Sequence, residues 1–154
     1  MTTLLKSATI IDASSPYHRQ TKDILIVHGI ISKIADAIES EEGYQVVQLD
    51  NLHVSSGWFD TSVSFGEPGY EERETITKGL EVASKSGFTA IALNPNTYPV
   101  IDAKSDIKYI IHRSDDCATQ LYPIGALTQG SKGQELAELY DMQQSGAIAF
   151  GDYN

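Results

Sequence analysis

At 154 residues and 41% hydrophobic content, the chain is long enough for one packed unit or somewhat less than two, and too apolar to be disordered. Its 21 acidic residues against 11 basic ones give a net charge of −10, a field that repels phosphate backbones and argues against nucleic acid as a partner. Cys117 is the only cysteine, which excludes an internal disulfide and fits a reducing compartment, and MTTLLKSATIID matches neither a signal peptide nor a membrane span; the expectation is a cytoplasmic protein with no membrane partner.

Residues 1–55 read as a small all-β unit. LLKSATIID is a β-like run closed by the turn-prone SSPY at Ser14 to Tyr17. DILIVHGIISKIA gives two β-branched runs around His28-Gly29, the pattern of a hairpin. After the charged break ESEEGY, QVVQLDNLHV supplies further strand. From about Val54 the rhythm becomes strand, loop, helix, strand. Ile76, Leu80 and Ala83 lie at helical spacing within Glu72 to Lys85, with Gly87 as a C-terminal cap. Phe88 to Leu93 is a buried-type strand, and Ser105 is placed to cap a helix carrying Ile107, Ile110 and Ile111. ATQLYPIGAL holds the next strand. Gln134 to Gln144 is expected to be helical with Leu136, Leu139 and Tyr140 inward, ended by Gly146, before a fourth strand at Ala147 to Phe150. Four strands alternating with three helices predict a parallel α/β sheet, about half of a closed (β/α)8 barrel. The expectation is therefore the front part of a longer protein, or a chain that pairs with something that completes it.

DTSVSFGEPGYEE, Asp60 to Glu72, has the outline of a catalytic loop: a strand end, alternating side chains, a Pro-Gly turn and clustered carboxylates. WFDTSVSFGEPGYEERETITKG resembles the first barrel strand and loop of dihydroorotases, in the cyclic amidohydrolase group, where the pattern is D-x-H-x-H-x-R-E-P-G-x-E. SGFTAIALNPNTYPVID resembles the family's G-G-F-T-x-x-x-x-M-P-N-T-x-P-x, and PIGALTQGSKGQELAEL and SGAIAFGDYN continue the likeness in the right order. The resemblance covers essentially the whole chain but only about the first third of a family member. It implies an α/β fold: a small N-terminal β-sandwich portion over 1–55, then over 56–154 the first half of a metal-dependent-hydrolase (β/α)8 TIM barrel.

The family interconverts N-carbamoyl-aspartate and dihydroorotate in pyrimidine biosynthesis, with metal-bound hydroxide attacking a ring amide; zinc lowers the pKa of its bound water to about 7. Alternate histidines on a strand end face one side and grip the metal, and an arginine two residues on holds the substrate carboxylate in a fork. Here the two histidine positions are Ser62 and Ser64, and the arginine position is Gly66. A serine hydroxyl is a poor neutral zinc ligand, and losing even an outer partner of a ligand can cost 10–100-fold in affinity or activity. Asp60 keeps the family's acidic position and Asn96, in NPNT, matches the asparagine that helps bind substrate. Asp152 lies near the acidic residue that bridges metals after the fourth strand. The family has D-D-G where this chain has Asp152-Tyr153-Asn154, which leaves open which aspartate corresponds.

Blander roles compete at each position. Ser62 and Ser64 read as small polar filler rather than nucleophiles, since no histidine or lysine lies close in sequence to activate them. His53 is out of phase with Ser62 and reads as a surface residue; His18, His28 and His112 show no metal-binding spacing. Asn96 can equally tie its own loop, and Asp152 can be retained structure. Glu71, Glu72, Glu74 and Glu81 suit a helix start and a solvated face.

The leading expectation is a dihydroorotase-like protein without catalysis or cofactor, persisting as a structural partner. The resemblance implies such a role because inactive homologues associate with aspartate transcarbamoylase; a homo-oligomer is the other partner considered. The alternative is an active dihydroorotase or related zinc-dependent cyclic amidohydrolase, with an altered site holding zinc through Asp60, Asp152 and residues further on. A truncated chain with no meaning of its own is the third reading.

Overall fold

The computed structural model of the protein describes residues 1–153, which divide into two units at Ser56/Gly57. In the first, a ten-residue strand, β1 (Thr2–Ile11), carries every other strand but one. β2 (Thr21–Val27) runs antiparallel to it, with Leu4 opposite Leu25, and β3 (Ile30–Ala35) continues the antiparallel meander. His28 (φ 51°) and Gly29 (φ 79°) join these two. Two successive left-handed residues match the right-handed twist of the flanking strands, so the hairpin expected at this dipeptide forms. On its other edge β1 pairs in parallel with β4 (Tyr44–Gln48) and then β5 (His53–Ser55). QVVQLDNLHV is thus two strands rather than one, broken at a turn where Asn51 is left-handed (φ 59°). A bulge between Leu5 and Ala8 is pinned by Asp23, which is buried and accepts hydrogen bonds from Lys6 Nζ, Ser7 N and Ile38 N. Ala8, Ile10 and Ile24 form the small apolar core.

The second unit holds four parallel strands in the order β6 (Trp58–Val63), β7 (Phe88–Leu93), β8 (Gln120–Gly125), β9 (Ala149–Phe150). Helices α1 (Ile76–Lys85), α2 (Lys104–Ser114) and α3 (Leu139–Gln144) connect them, the plan of a parallel half-barrel. Ile91, Leu93 and Leu121 project from the sheet onto Ile76 and Leu80 of α1, Ile107 and Ile110 of α2 and Met142 of α3, and most of these are fully buried. None of the described helices is long and apolar enough to cross a membrane.

The structure shifts several expected boundaries. α1 begins at Ile76, not Glu72, because Thr75 is its cap: the Thr75 hydroxyl accepts the Lys78 N–H. Glu72 and Glu74 therefore precede the helix, and its first turn has no acidic residue. Ser105 does not cap α2; the cap is Ala103, whose N–H donates to the Asp106 carboxylate. α3 starts five residues late, with Leu136 (64% exposed) and Tyr140 (73%) turned outward and Met142 buried. The fourth strand shortens to two residues.

α1 sits so close to the loop after β6 that position 79 has no room for a side chain. A Cβ on Gly79 would lie 2.2 Å from Cε1 of the buried Phe65 ring. Alanine in an exposed helix interior normally gains about 1 kcal/mol over glycine. Here Gly79→Ala is expected to destabilise by roughly 1–3 kcal/mol, the usual cost of overpacking. Urea unfolding monitored by circular dichroism measures this, and a stabilised variant would mean that Phe65 yields freely.

Candidate functional site

The end of β6 is where the chemistry would be expected, and its register decides which side chains meet. Asp60 pairs with Ile91 and Val63 with Leu93, so three residues of β6 span two of β7. Such a bulge reverses the alternation of side chains. Asp60 therefore shares the helix-covered face with Val63 and Ile91, lining a cleft with Phe65, Glu74 and Val82. Ser62 and Ser64 project from the opposite face, with Asn94 beside them at the end of β7. An unbroken strand would have put Asp60 with the two serines; the bulge separates them, and Asp60 Oδ1 instead accepts the Ser62 backbone N–H at 3.1 Å.

Asn94 joins the two serines. Its Nδ2 donates to Ser62 Oγ (3.1 Å) and to Ser64 Oγ (3.2 Å), and its backbone N–H donates to Val63 O (2.8 Å). Asn94 is only 5% exposed, whereas both serines are open to solvent. Nothing in the sequence motif singles out Asn94; Asn96 is the position matched by resemblance.

After Ser64 the chain turns sharply. Gly66 O accepts the Tyr70 N–H (2.8 Å), and the N–H groups of Gly66 and Glu67 both donate to Glu74 O. A Cβ on Gly66 would stand 1.8 Å from Tyr70 O and 3.1 Å from Arg73 Cβ, so the turn has no space for a side chain at the arginine position. The Arg73 guanidinium lies over the Tyr70 ring, 4.3 Å from its centroid. The turn is tied to the next loop by Tyr98 N–H donating to Pro68 O (3.0 Å).

Glu67 anchors this loop from inside. The residue is 3% exposed and accepts the Ile76 N–H at the start of α1 (2.8 Å), the Tyr109 hydroxyl (2.8 Å) and Arg113 Nε (2.7 Å) from α2. Burial pushes its pKa up, but the Arg113 hydrogen bond, the Ile76 N–H, the Tyr109 hydroxyl and the Arg113 charge together hold it below the ordinary value. All three donors serve the carboxylate's charge, so the role is one of structure.

The remaining sequence-selected residues stand apart. Asn96 is half-buried, and its Oδ1 has no hydrogen-bond partner among the described residues. The Asp152 carboxylate takes the Thr128 hydroxyl (2.7 Å) and N–H (2.9 Å), which hold its pKa below the usual carboxylate value. Asn154, the last residue of GDYN, lies outside the described residues. His53 is exposed on β5, its Nδ1 2.8 Å from Asn51 O. His18 Nδ1 accepts the Asp12 N–H, His28 is in the hairpin turn, and His112 pairs with Asp115 on the surface.

The dihydro-orotase-like family model matches residues 53–154. The chain is 39% identical over 153 residues to a dihydroorotase of Ruminiclostridium cellulolyticum and 41% identical over 152 residues to one of Pelotomaculum thermopropionicum. The chain belongs to the dihydro-orotase-like family. It spans about a third of those relatives, 99% of this chain aligning with 35% of each. Among solved structures, an L-hydantoinase (dihydropyrimidinase) from Arthrobacter aurescens matches with a TM-score of 0.76 at 17% identity, over 96% of this chain and 32% of that one. A crystal structure of a dihydroorotase matches with a TM-score of 0.60 at 14% identity, over 97% and 41%. At these identities the likeness is one of fold, and it places the half-barrel within the TIM-barrel fold of those chains.

Family membership raises the question of zinc, and the β6 end of this dihydro-orotase-like chain does not fit it. Both candidate ligands are neutral hydroxyls already accepting hydrogen bonds from one amide, and Asp60 faces the other side of the sheet. Among the described residues, no group of three or more histidines, cysteines, aspartates or glutamates is placed to hold a metal ion, so neither Asp60 nor Asp152 has such companions.

Proposed function

We propose that this chain is the N-terminal part of a dihydroorotase-like protein of pyrimidine biosynthesis that has lost catalysis and acts as a structural partner, with aspartate transcarbamoylase as the partner. The observation that carries the reading is the Asn94 amide bound to both Ser62 and Ser64. It fills the place of a metal-gripping pair with neutral polar groups hydrogen-bonded to one amide. The closed turn at Gly66 supports it, since a fork for a substrate carboxylate has no room there. The Glu67 anchor and the buried strand core are intact, which fits a frame kept for what it holds rather than for what it cleaves.

The test uses the full gene product, dialysed against zinc and then against metal-free buffer. The expected result is no retained zinc by elemental analysis, no dihydroorotate hydrolysis above a metal-free control, and co-elution with aspartate transcarbamoylase on gel filtration. Stoichiometric zinc with measurable hydrolysis would overturn the loss of catalysis; separate elution would overturn the partner.

A further inference from the structure

A bulge interrupts the ladder and frees backbone groups that the partner strand no longer pairs. At the end of β6 two side chains take up that task, one from each face of the sheet. From the helix-covered face, Asp60 Oδ1 accepts the Ser62 N–H (3.1 Å), a carboxylate bonding its own backbone two residues on. From the other side, Asn94 reaches three consecutive residues. Its backbone N–H donates to Val63 O (2.8 Å), and its Nδ2 donates to Ser62 Oγ (3.1 Å) and Ser64 Oγ (3.2 Å). An aliphatic side chain at 94 would keep only the first of these. Asn94 is 5% exposed and so is fixed by its own packing, and none of the four bonds depends on what lies over the serines.

We propose that Asp60 and Asn94 are paired positioning residues that hold the bulged end of β6. The register they hold keeps the one carboxylate on the helix-covered face and the two hydroxyls on the other. It also delivers the chain to the closed turn at Gly66, where the Gly66 and Glu67 N–H groups donate to Glu74 O. Asp60, at the position where the resemblance puts an acidic residue, thereby takes a backbone role that needs no metal. The assignment rests on the reading of this strand end as a frame without metal, and goes beyond it by naming what keeps the frame in shape.

Hydrogen–deuterium exchange read by mass spectrometry on the metal-free full gene product tests this, with segments 60–66 and 92–96 compared against β8 as the internal control. Losing two neutral hydrogen bonds is expected to speed exchange in both segments about tenfold in Asn94→Leu, with β8 unchanged. The double variant Ser62→Ala, Ser64→Ala should match it. Adding Asn94→Leu to that pair should bring no further change, because the same two bonds are already gone. Asp60→Ala should speed exchange in segment 60–66. Asp60→Asn should restore it, since its amide oxygen can still accept the Ser62 N–H, and this rescue separates the bond from general packing. Thermal unfolding of each variant confirms that it is folded; the exposed serine positions and Asp60→Asn keep the test valid where Asn94→Leu does not fold. Unchanged exchange in Asn94→Leu or in Asp60→Ala, effects that multiply in the triple variant, or no rescue by Asp60→Asn overturns the proposal while leaving the metal-free reading intact. Zinc retained on dialysis overturns that reading whatever the exchange rates do.

Discussion

Gly66→Ala is expected to lower the stability of the half-barrel unit by roughly 3 kcal/mol, toward the upper end for a point substitution. The added Cβ would stand 1.8 Å from the Tyr70 carbonyl oxygen, a backbone atom that cannot rotate away. Relief means opening the turn, which breaks the Tyr70 N–H bond to Gly66 O and disturbs the paired donation of Gly66 and Glu67 to Glu74 O. Equilibrium urea unfolding measures the loss; a change below about 1 kcal/mol would show that the loop relaxes cheaply. The same geometry sets the outcome of restoring the family residues. The triple variant Ser62→His, Ser64→His, Gly66→Arg is expected to be destabilised at least as much as Gly66→Ala and to show no dihydroorotate hydrolysis. The arginine must displace the turn before it can reach any substrate, and the two imidazoles must displace Asn94. Turnover in the triple variant would mean that only side chains, not the loop's backbone, separate this chain from an active site.

The parts of the fold that were legible in the sequence are those set by local pattern. His28-Gly29 between two β-branched runs admits little besides a two-residue hairpin, and the spacing of Ile76, Leu80 and Ala83 fixes the buried face of α1. The start of α3 was not legible. Leu136 and Tyr140 stand at helical spacing, but long-range backbone bonds claim the segment first: Thr128 bridges Leu136, Gln129 N–H donates to Glu135 O, and Ala137 N–H donates to Leu127 O. Pairing of this kind overrides propensity and leaves no periodic trace.

The site divides the same way. The serines at 62 and 64 and the glycine at 66 can be read off the motif, and so can what they lack. The face that Asp60 takes depends on a bulge, which needs the partner strand to be seen. Asn94 also escaped, because its role is a pair of contacts across 30 and 32 residues. The nearby Asn96 stands out by its place in the motif, yet among the described residues its Oδ1 has no partner.

Glu67 offers the other large effect, and it depends on pH. The carboxylate joins the start of α1 to two side chains of α2, so Glu67→Ala removes three charge-assisted hydrogen bonds and leaves the Ile76 N–H without its buried acceptor. A loss of about 3 kcal/mol is expected, from hydrogen bonds to a charged group and an unsatisfied buried donor, discounted because Tyr109 and Arg113 are partly solvated. The sign of the pH dependence follows from the folded pKa lying below the ordinary 4.5. The native state then binds the proton less readily than the unfolded chain. The contribution is fully present above pH 4.5 and fades as the pH falls through the lower folded value. Glu67→Gln keeps the side chain's size but has no charge to lose, so its stability gap to the wild type should be widest near neutrality and narrow steadily in acid. Urea midpoints for the two proteins across this range measure the gap. A gap that stays constant would mean that the shape of Glu67, and not its ionisation, holds the loop to the helices.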